Sequence, residues 1–309
     1  MTLLSAFALA GCNSYTTDMA AVGTCQQSKT ADDLIKYCDA ALKLDLEWYM
    51  QSPVYNDRGL GYMLKKQYDL ALADFDQAIK LRNHEPVLYA NRGDAYSGKH
   101  DFDKALADYD HALALAPGFT EAYIHRGLVY LWKREDDKAL SNFDTAVRMG
   151  RGDANALMFR AVGYLAIHDY TKATADFRRA LDLQPDSAAA EDGLCRSLAL
   201  LGQTYEAIRH CERAAKAAPK PAGPLFARGY AELRNGDWKA ALADCGAAAD
   251  MTPVAAAPLF CRGYAHERLG EADAANADYA AARAADGKID EGMKRLGIVP
   301  GSAKITPEA

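Results

Sequence analysis

No stretch of this sequence approaches the ~20 consecutive apolar residues that a membrane-spanning helix needs. HExxH, GxSxG, a phosphate-cradling GxxxxGK[ST] loop and a dinucleotide-type GxGxxG are all missing. There is no CxxC, so neither a zinc ribbon nor a thioredoxin-like site is indicated. The seven histidines are scattered rather than grouped, and no metal site is expected. Basic residues do not dominate: 36 Lys and Arg stand against 42 Asp and Glu, a net charge of -6. Nucleic-acid binders carry a basic patch or stripe, so that class is disfavoured, as is adsorption to acidic membranes by charge. Catalysis and a bound cofactor are likewise not expected.

The sequence does have a period. Residues Pro86 to Phe119 form a 34-residue unit whose skeleton recurs in register on both sides. Steps of 34 from Ala105 reach Ala71, Ala139, Ala173, Ala207, Ala241 and Ala275; steps from Ala112 reach Ala78, Ala146, Ala180, Ala214, Ala248 and Ala282. The column of Gly93 holds Gly59, Gly127, Ala161, Cys195, Gly229 and Gly263, all small. That of Tyr109 holds Phe75, Phe143, Phe177, Cys211, Cys245 and Tyr279. A fixed period of this length marks a repeat array. Each unit contains two apolar-periodic segments of helical spacing joined at a turn such as Ser97-Gly98-Lys99 or Asn235-Gly236-Asp237. One helical hairpin cannot bury its apolar face alone, so neighbours must stack.

These columns resemble the tetratricopeptide repeat (TPR) family. Its small residues at places 8, 20 and 27 of each repeat and its aromatic at place 24 are the four columns above, and its place-32 proline is Pro117, Pro185, Pro219 and Pro253. The resemblance gives seven repeats: 52–85, 86–119, 120–153, 154–187, 188–221, 222–255 and 256–289. It implies an all-α TPR α-solenoid, a right-handed superhelix with a concave groove, acting as a scaffold or adaptor for a protein or peptide partner.

The ends differ from the repeats. Residues 1–12 finish in Leu9-Ala10-Gly11-Cys12, which resembles a bacterial lipobox and implies lipidation at Cys12. No Lys or Arg precedes the apolar stretch, so a simple secretory signal and an ordinary apolar N-terminus remain open. Residues 13–30 are expected as a polar tether, 31–51 as a degenerate N-terminal cap, and 290–309 as a capping helix and tail. The expected location is the bacterial envelope, anchored at the outer membrane facing the periplasm, with the lipid as the only membrane contact. The alternatives are a soluble periplasmic protein or a cytoplasmic TPR regulator with reduced cysteines.

The cysteines bear on that choice. With Cys12 set aside, six remain, in three sequence-local pairs: Cys25–Cys38, Cys195–Cys211 and Cys245–Cys261. Cys195 and Cys211 take places 8 and 24 of one repeat, on facing helices; Cys245 and Cys261 lie on consecutive helices. Bridges there, and across the cap, would fit an exported protein. Free thiols acting as small hydrophobes are the other reading.

Two sets of side chains are candidates for binding. Place 7 is arginine in six repeats (Arg58, Arg92, Arg126, Arg160, Arg228, Arg262), and place 23 is Asp74, Asp108, Asn142, Asp176, Asp244 and Asp278. A structural ladder of paired side chains and a ligand-binding arginine row both fit that pattern. In the family, places 2, 5, 9, 12 and 13 line the concave surface. The groove residues implied here are Leu60, Asp94, Leu128 and Trp132 toward the N-terminus, and Arg196, Tyr230, Arg234, Tyr264 and Arg268 toward the C-terminus. The second group would make an Arg/Tyr wall suited to an acidic segment. The family's carboxylate clamp for chaperone peptides is missing, because place 5 holds no lysine.

Overall fold

The computed structural model describes residues 18–302 and residue 305 of the chain. The leader and Cys12 lie outside the described residues. Among those described there is helix and no strand.

The chain divides into two compact units, Met1–Met149 and Gly150–Ala309. The first holds α1 (18–26), α2 (Ala31–Ala41), α3 (Trp48–Leu64), α4 (Tyr68–Leu81), α5 (Pro86–Gly98), α6 (Phe102–Leu115), α7 (Thr120–Trp132) and α8 (Asp136–Met149). The second holds α9 (Ala154–Ala166), α10 (Tyr170–Leu183), α11 (Ala188–Leu201), α12 (Thr204–Ala217), α13 (Ala222–Asn235), α14 (Trp238–Met251), α15 (Ala256–Leu269), α16 (Ala272–Ala285) and α17 (Ile289–Arg295). In both units consecutive helices pair as hairpins, and each hairpin packs on the next.

The small-residue and aromatic columns meet. A Cβ added to Gly59, Gly93 or Gly127 would lie 2.7, 2.8 or 2.6 Å from the ring of Phe75, Tyr109 or Phe143, sixteen residues on. A side chain at these three positions would displace the ring, whereas the fourth repeat sets Ala161 opposite Phe177. The ring's other side faces place 6 of the next repeat, as where Phe177 would lie 2.3 Å from a Cβ on Gly193. Phe75 and Phe143 are fully buried, and burying such a side chain stabilises by about 1.5–3 kcal/mol.

That position explains the disulfides. All three pairs are bonded: Cys25–Cys38, Cys195–Cys211 and Cys245–Cys261, with Cα separations of 4.8, 4.9 and 5.8 Å. Cys211 at place 24 reaches place 8 of its own repeat, and Cys245 at place 24 reaches place 6 of the following one. The two bridges take the two directions in which an aromatic ring would have packed.

The place-7 arginines are structural clamps. Arg58 donates through Nε and Nη2 to both oxygens of Asp74 (2.8 and 2.6 Å), and its Nη1 reaches Asp39 at 2.6 Å. Arg92 does the same with Asp108 and with Asp76, on the second helix of the preceding repeat. Arg160, Arg228 and Arg262 grip Asp176, Asp244 and Asp278 by the same fork. Of the two readings the pattern allowed, the geometry supports the ladder: these guanidiniums are committed within the array. Losing one partner of a buried pair costs about 3–5 kcal/mol, so the fork fixes hairpin register. In the fifth repeat, where Leu194 and His210 stand instead, His210 and Arg213 both engage Glu191.

Every first helix of the seven repeats ends on a left-handed residue. These are Lys66, His100, Arg134 and His168 (φ 58 to 64°), then Gly202, Gly236 and Gly270 (φ 78 to 83°). Glycine takes this conformation freely, whereas other residues do so at a cost.

Two expectations for the N-terminal region need correction. Residues 18–26, read as part of a tether, are helical, because Val22 and the disulfide-bonded Cys25 are buried in a small core with Cys38, Ala41 and Met50. The cap expected to stop at residue 51 runs on, since α3 starts at Trp48 and continues unbroken into the first repeat.

Candidate functional site on the first-helix face

In the second unit the first helices present a half-open apolar cavity of about 520 Å³. Met158, Phe159, Val162 and Leu165 of α9 form one side. Asp192, Gly193 and Arg196 of α11 form the other, and Phe177 of α10 and Leu296 of the C-terminal segment complete the lining. The wall exists because Gly193 yields space to the Phe177 ring and because Val162 is left 39% exposed.

One polar feature interrupts the apolar lining. Arg196 Nη2 donates to Asp192 Oδ2 at 2.5 Å, one helical turn back. The other carboxylate oxygen, Asp192 Oδ1, is buried and takes no hydrogen bond from any described residue. Oδ1 is out of reach of a ligand, but 24% of the Asp192 side chain stays exposed, so a donor arriving in the cavity meets this carboxylate through Oδ2, beside Arg196. An apolar side chain next to such a donor therefore fits the cavity chemically.

The other expected groove residues divide into three groups. Leu60 and Leu128 are half-buried and Trp132 is 69% exposed, so these remain open in the first unit. Asp94 does not: it accepts from the Tyr109 hydroxyl at 2.6 Å and lies 2.8 Å from His125 Nδ1. Burial depresses the His125 basicity, but Asp94 and Glu121 together more than offset this and the net shift is upward.

The Arg/Tyr wall is not an open surface, which corrects the expectation. Tyr230 and Tyr264 are buried (3% and 0% exposed). Their hydroxyls donate to the main-chain carbonyls of Leu296 (2.8 Å) and Ser302 (2.9 Å). Arg268 stacks over Trp238 and reaches the Ser302 carbonyl. Arg234 turns to the end of α11, donating to the Ala199 and Leu200 carbonyls at 3.1 and 3.0 Å. The wall is thus occupied by the chain's own C-terminal residues and by one helix terminus. Of the C-terminal group only Arg196 borders the cavity. Met158, Phe159, Val162 and Leu165 were missed; Val162 occupies place 9, and reading that column through the fourth repeat would have found it.

Among the described residues no group of three or more His, Cys, Asp or Glu side chains is arranged to hold a metal ion. No helix among them is long and apolar enough to cross a membrane.

The comparisons agree with the packing. Family models described as tetratricopeptide repeat match residues 52–85, 86–119, 136–188 and 226–288. The chain belongs to the tetratricopeptide repeat family, an all-α fold of stacked helical hairpins. No curated protein sequence matches it. Among solved structures, a tetratricopeptide repeat protein from Parabacteroides merdae superposes with a TM-score of 0.59 at 18% identity, over 84% of this chain and 99% of that one. The APC/C hetero-tetramer Cut9-Hcn1 gives 0.69 at 14% identity over 84% of this chain, which spans 50% of that chain's length. The pilF structure from Pseudomonas aeruginosa gives 0.58 at 14% identity, over 65% and 92%. At these identities the likenesses show the fold alone.

Proposed function

We propose that this chain is a non-catalytic protein-interaction scaffold of the bacterial envelope, held to the outer membrane by a lipid on Cys12 and facing the periplasm. Its partner docks an extended segment in the cavity between α9 and α11. That segment places an aliphatic side chain against Met158 and Val162 and sets a cationic or amide donor beside it on Asp192. The observation that carries the docking reading is an apolar cavity bordered by one part-exposed ion pair, Asp192 with Arg196. Apolar pockets with a few placed polar groups are the usual form of a binding site. The three bonded cysteine pairs support export, because disulfides persist in oxidising compartments.

The docking reading is tested with fluorescein-labelled peptides that pair one leucine with lysine, glutamine or glutamate. The lysine peptide should bind best, Asp192→Asn should remove that preference, and Val162→Glu should weaken binding at least about tenfold, a cost near 1.4 kcal/mol. Val254→Glu, at a site 86% exposed and away from the cavity, should change nothing. Binding indifferent to Val162→Glu and Asp192→Asn, or no binding by any peptide, would refute it. For location, intact mass of the protein from its native membrane fraction should show a chain starting at a diacylated Cys12 and alkylated only after reduction. Thiols that all alkylate without reduction would point to the cytoplasm instead.

A further inference from the structure

The C-terminal residues are held as a bound peptide would be. Tyr230 and Tyr264 donate to the carbonyls of Leu296 and Ser302, Arg268 also reaches the Ser302 carbonyl, and the Gly301 N–H donates to Glu267 Oε1 at 2.7 Å. All four bonds read the main chain of the segment; the Tyr264 hydroxyl adds one longer contact, 3.4 Å, to the Ser302 hydroxyl. Sequence enters through one fully buried aliphatic residue, Ile298. Main-chain bonds for affinity with a pocket for specificity is how extended peptides are recognised. The tyrosines reinforce this. Place 9 is tyrosine only in the sixth and seventh repeats, the two that this segment crosses; elsewhere it is Leu60, Asp94, Leu128, Val162 and Arg196.

We infer that Tyr230, Tyr264, Glu267 and Arg268 form a second peptide-docking row, which residues 296–302 fill in the resting chain. The partner it fits is an extended segment with one aliphatic side chain flanked by free main-chain carbonyls, and that segment binds by displacing residues 296–302. This rests on the scaffold reading above. Displacement is local because the segment has no helix of its own: it contains Gly297, Pro300 and Gly301, and Val299 and Gly301 are exposed. Helix α17 keeps its separate anchors, Ile289 and Met293, which are 7% and 1% exposed. A tethered segment competes at an effective concentration on the order of millimolar, so a free peptide meets a closed row in the native chain. Because Leu296 also lines the α9–α11 cavity, release of the segment changes both sites together.

The test uses the full chain and a fluorescein-labelled peptide of residues 294–305. Ile298→Asp puts a charge where none is tolerated and should eject the segment, raising peptide affinity at least tenfold over the native chain. Adding Tyr230→Phe and Tyr264→Phe to that variant should reverse the gain. In the native chain, the Gly301 amide should exchange with deuterium faster than the amides of α13 and α15. Equal affinity of both chains, affinity indifferent to the tyrosines, or exchange of Gly301 only with the unfolding of α13 and α15 would overturn the inference. An Ile298→Asp chain that fails to fold would overturn it too, since the segment would then be core. Binding here with no response to Val162→Glu would leave this row standing while the cavity reading fell; the converse result would separate them in the other direction.

Discussion

If a disulfide in the fifth repeat stands where other repeats pack a ring on glycine, the two should be exchangeable. The perturbation is Cys195→Gly with Cys211→Phe, which restores the pattern of Gly59/Phe75 and Gly127/Phe143. The lost cross-link spans 16 residues, and closing a loop of that size is worth about 3 kcal/mol in the chain-entropy model. The new ring, with place 8 cleared of its side chain and the buried Ala227 alongside, regains about 1.5–3 kcal/mol of apolar burial. The Gly/Phe chain should therefore lie within about 2 kcal/mol of the native one. A Cys195→Ala, Cys211→Ala chain loses the cross-link and leaves a void, for a total of about 3–5 kcal/mol. Urea unfolding followed by tryptophan emission suits the comparison. Trp238 is the tryptophan of the second unit, whereas Trp48 and Trp132 are 55% and 69% exposed and should report little change. If the Gly/Phe chain proved no more stable than the Ala/Ala chain, place 24 would not be a common packing position and the account of the disulfides would be wrong.

Two further outcomes follow from the backbone and from one buried carboxyl. Lys66 is exposed and left-handed. Lys66→Gly removes a cost of about 1–2 kcal/mol against an unfolded-state entropy loss of about 0.5–1, so the urea midpoint should rise, while Gly236→Ala should lower it by the corresponding amount. Burial, with the charge of Asp244 beside it, pushes the Glu232 carboxyl up to about 8 against the opposing pull of Arg228. A folded value above the ordinary 4.5 means that the native state holds a proton the unfolded chain has released. Its stabilising contribution is complete below about pH 4.5 and is lost as pH rises toward 8. Glu232→Gln should flatten the midpoint between pH 5 and 9 and raise it at pH 9; an unchanged slope would show that the carboxyl ionises as it does in water.

Much of this was legible in the sequence because it recurs. Gly59 facing Phe75 and Arg58 facing Asp74 repeat at 34 residues, and a column shared by several hairpins announces a shared contact. The second arm of the clamp was equally periodic, in Asp76 and Asp110, but was not read. What stayed hidden happens once. The bond from Tyr264 to Ser302 joins residues 38 apart, one end of which lies beyond the last repeat, so no column marks it. Residues 18–26 have weak periodicity and become helical through burial of Val22 and Cys25, a tertiary effect that local pattern does not carry.

The columns also indicate where function can sit. Places 6, 7, 8 and 23 to 25 are consumed by the ring packing and the arginine fork, which leaves places 5, 9, 12 and 13 free to vary. Place 24 then decides which of those stay free. Where it is phenylalanine, as in Phe75, Phe143 and Phe177, the ring has no polar atom, and Leu60, Leu128 and Val162 at place 9 remain available. Where it is tyrosine, the hydroxyl reaches across to a carboxylate on the first-helix face: Tyr109 holds Asp94 at 2.6 Å, and Tyr279 holds Glu267 Oε2 at 2.9 Å. The outcomes differ by geometry. Asp94 is engaged by His125 as well as Tyr109, whereas Glu267 is held by one oxygen and turns the other to the Gly301 N–H. A core hydroxyl thus sets the aim of the carboxylate that grips the C-terminal segment. Tyr279→Phe should leave the ring packing intact yet loosen Gly301, which deuterium exchange at that amide would register without any change in the protection of α15.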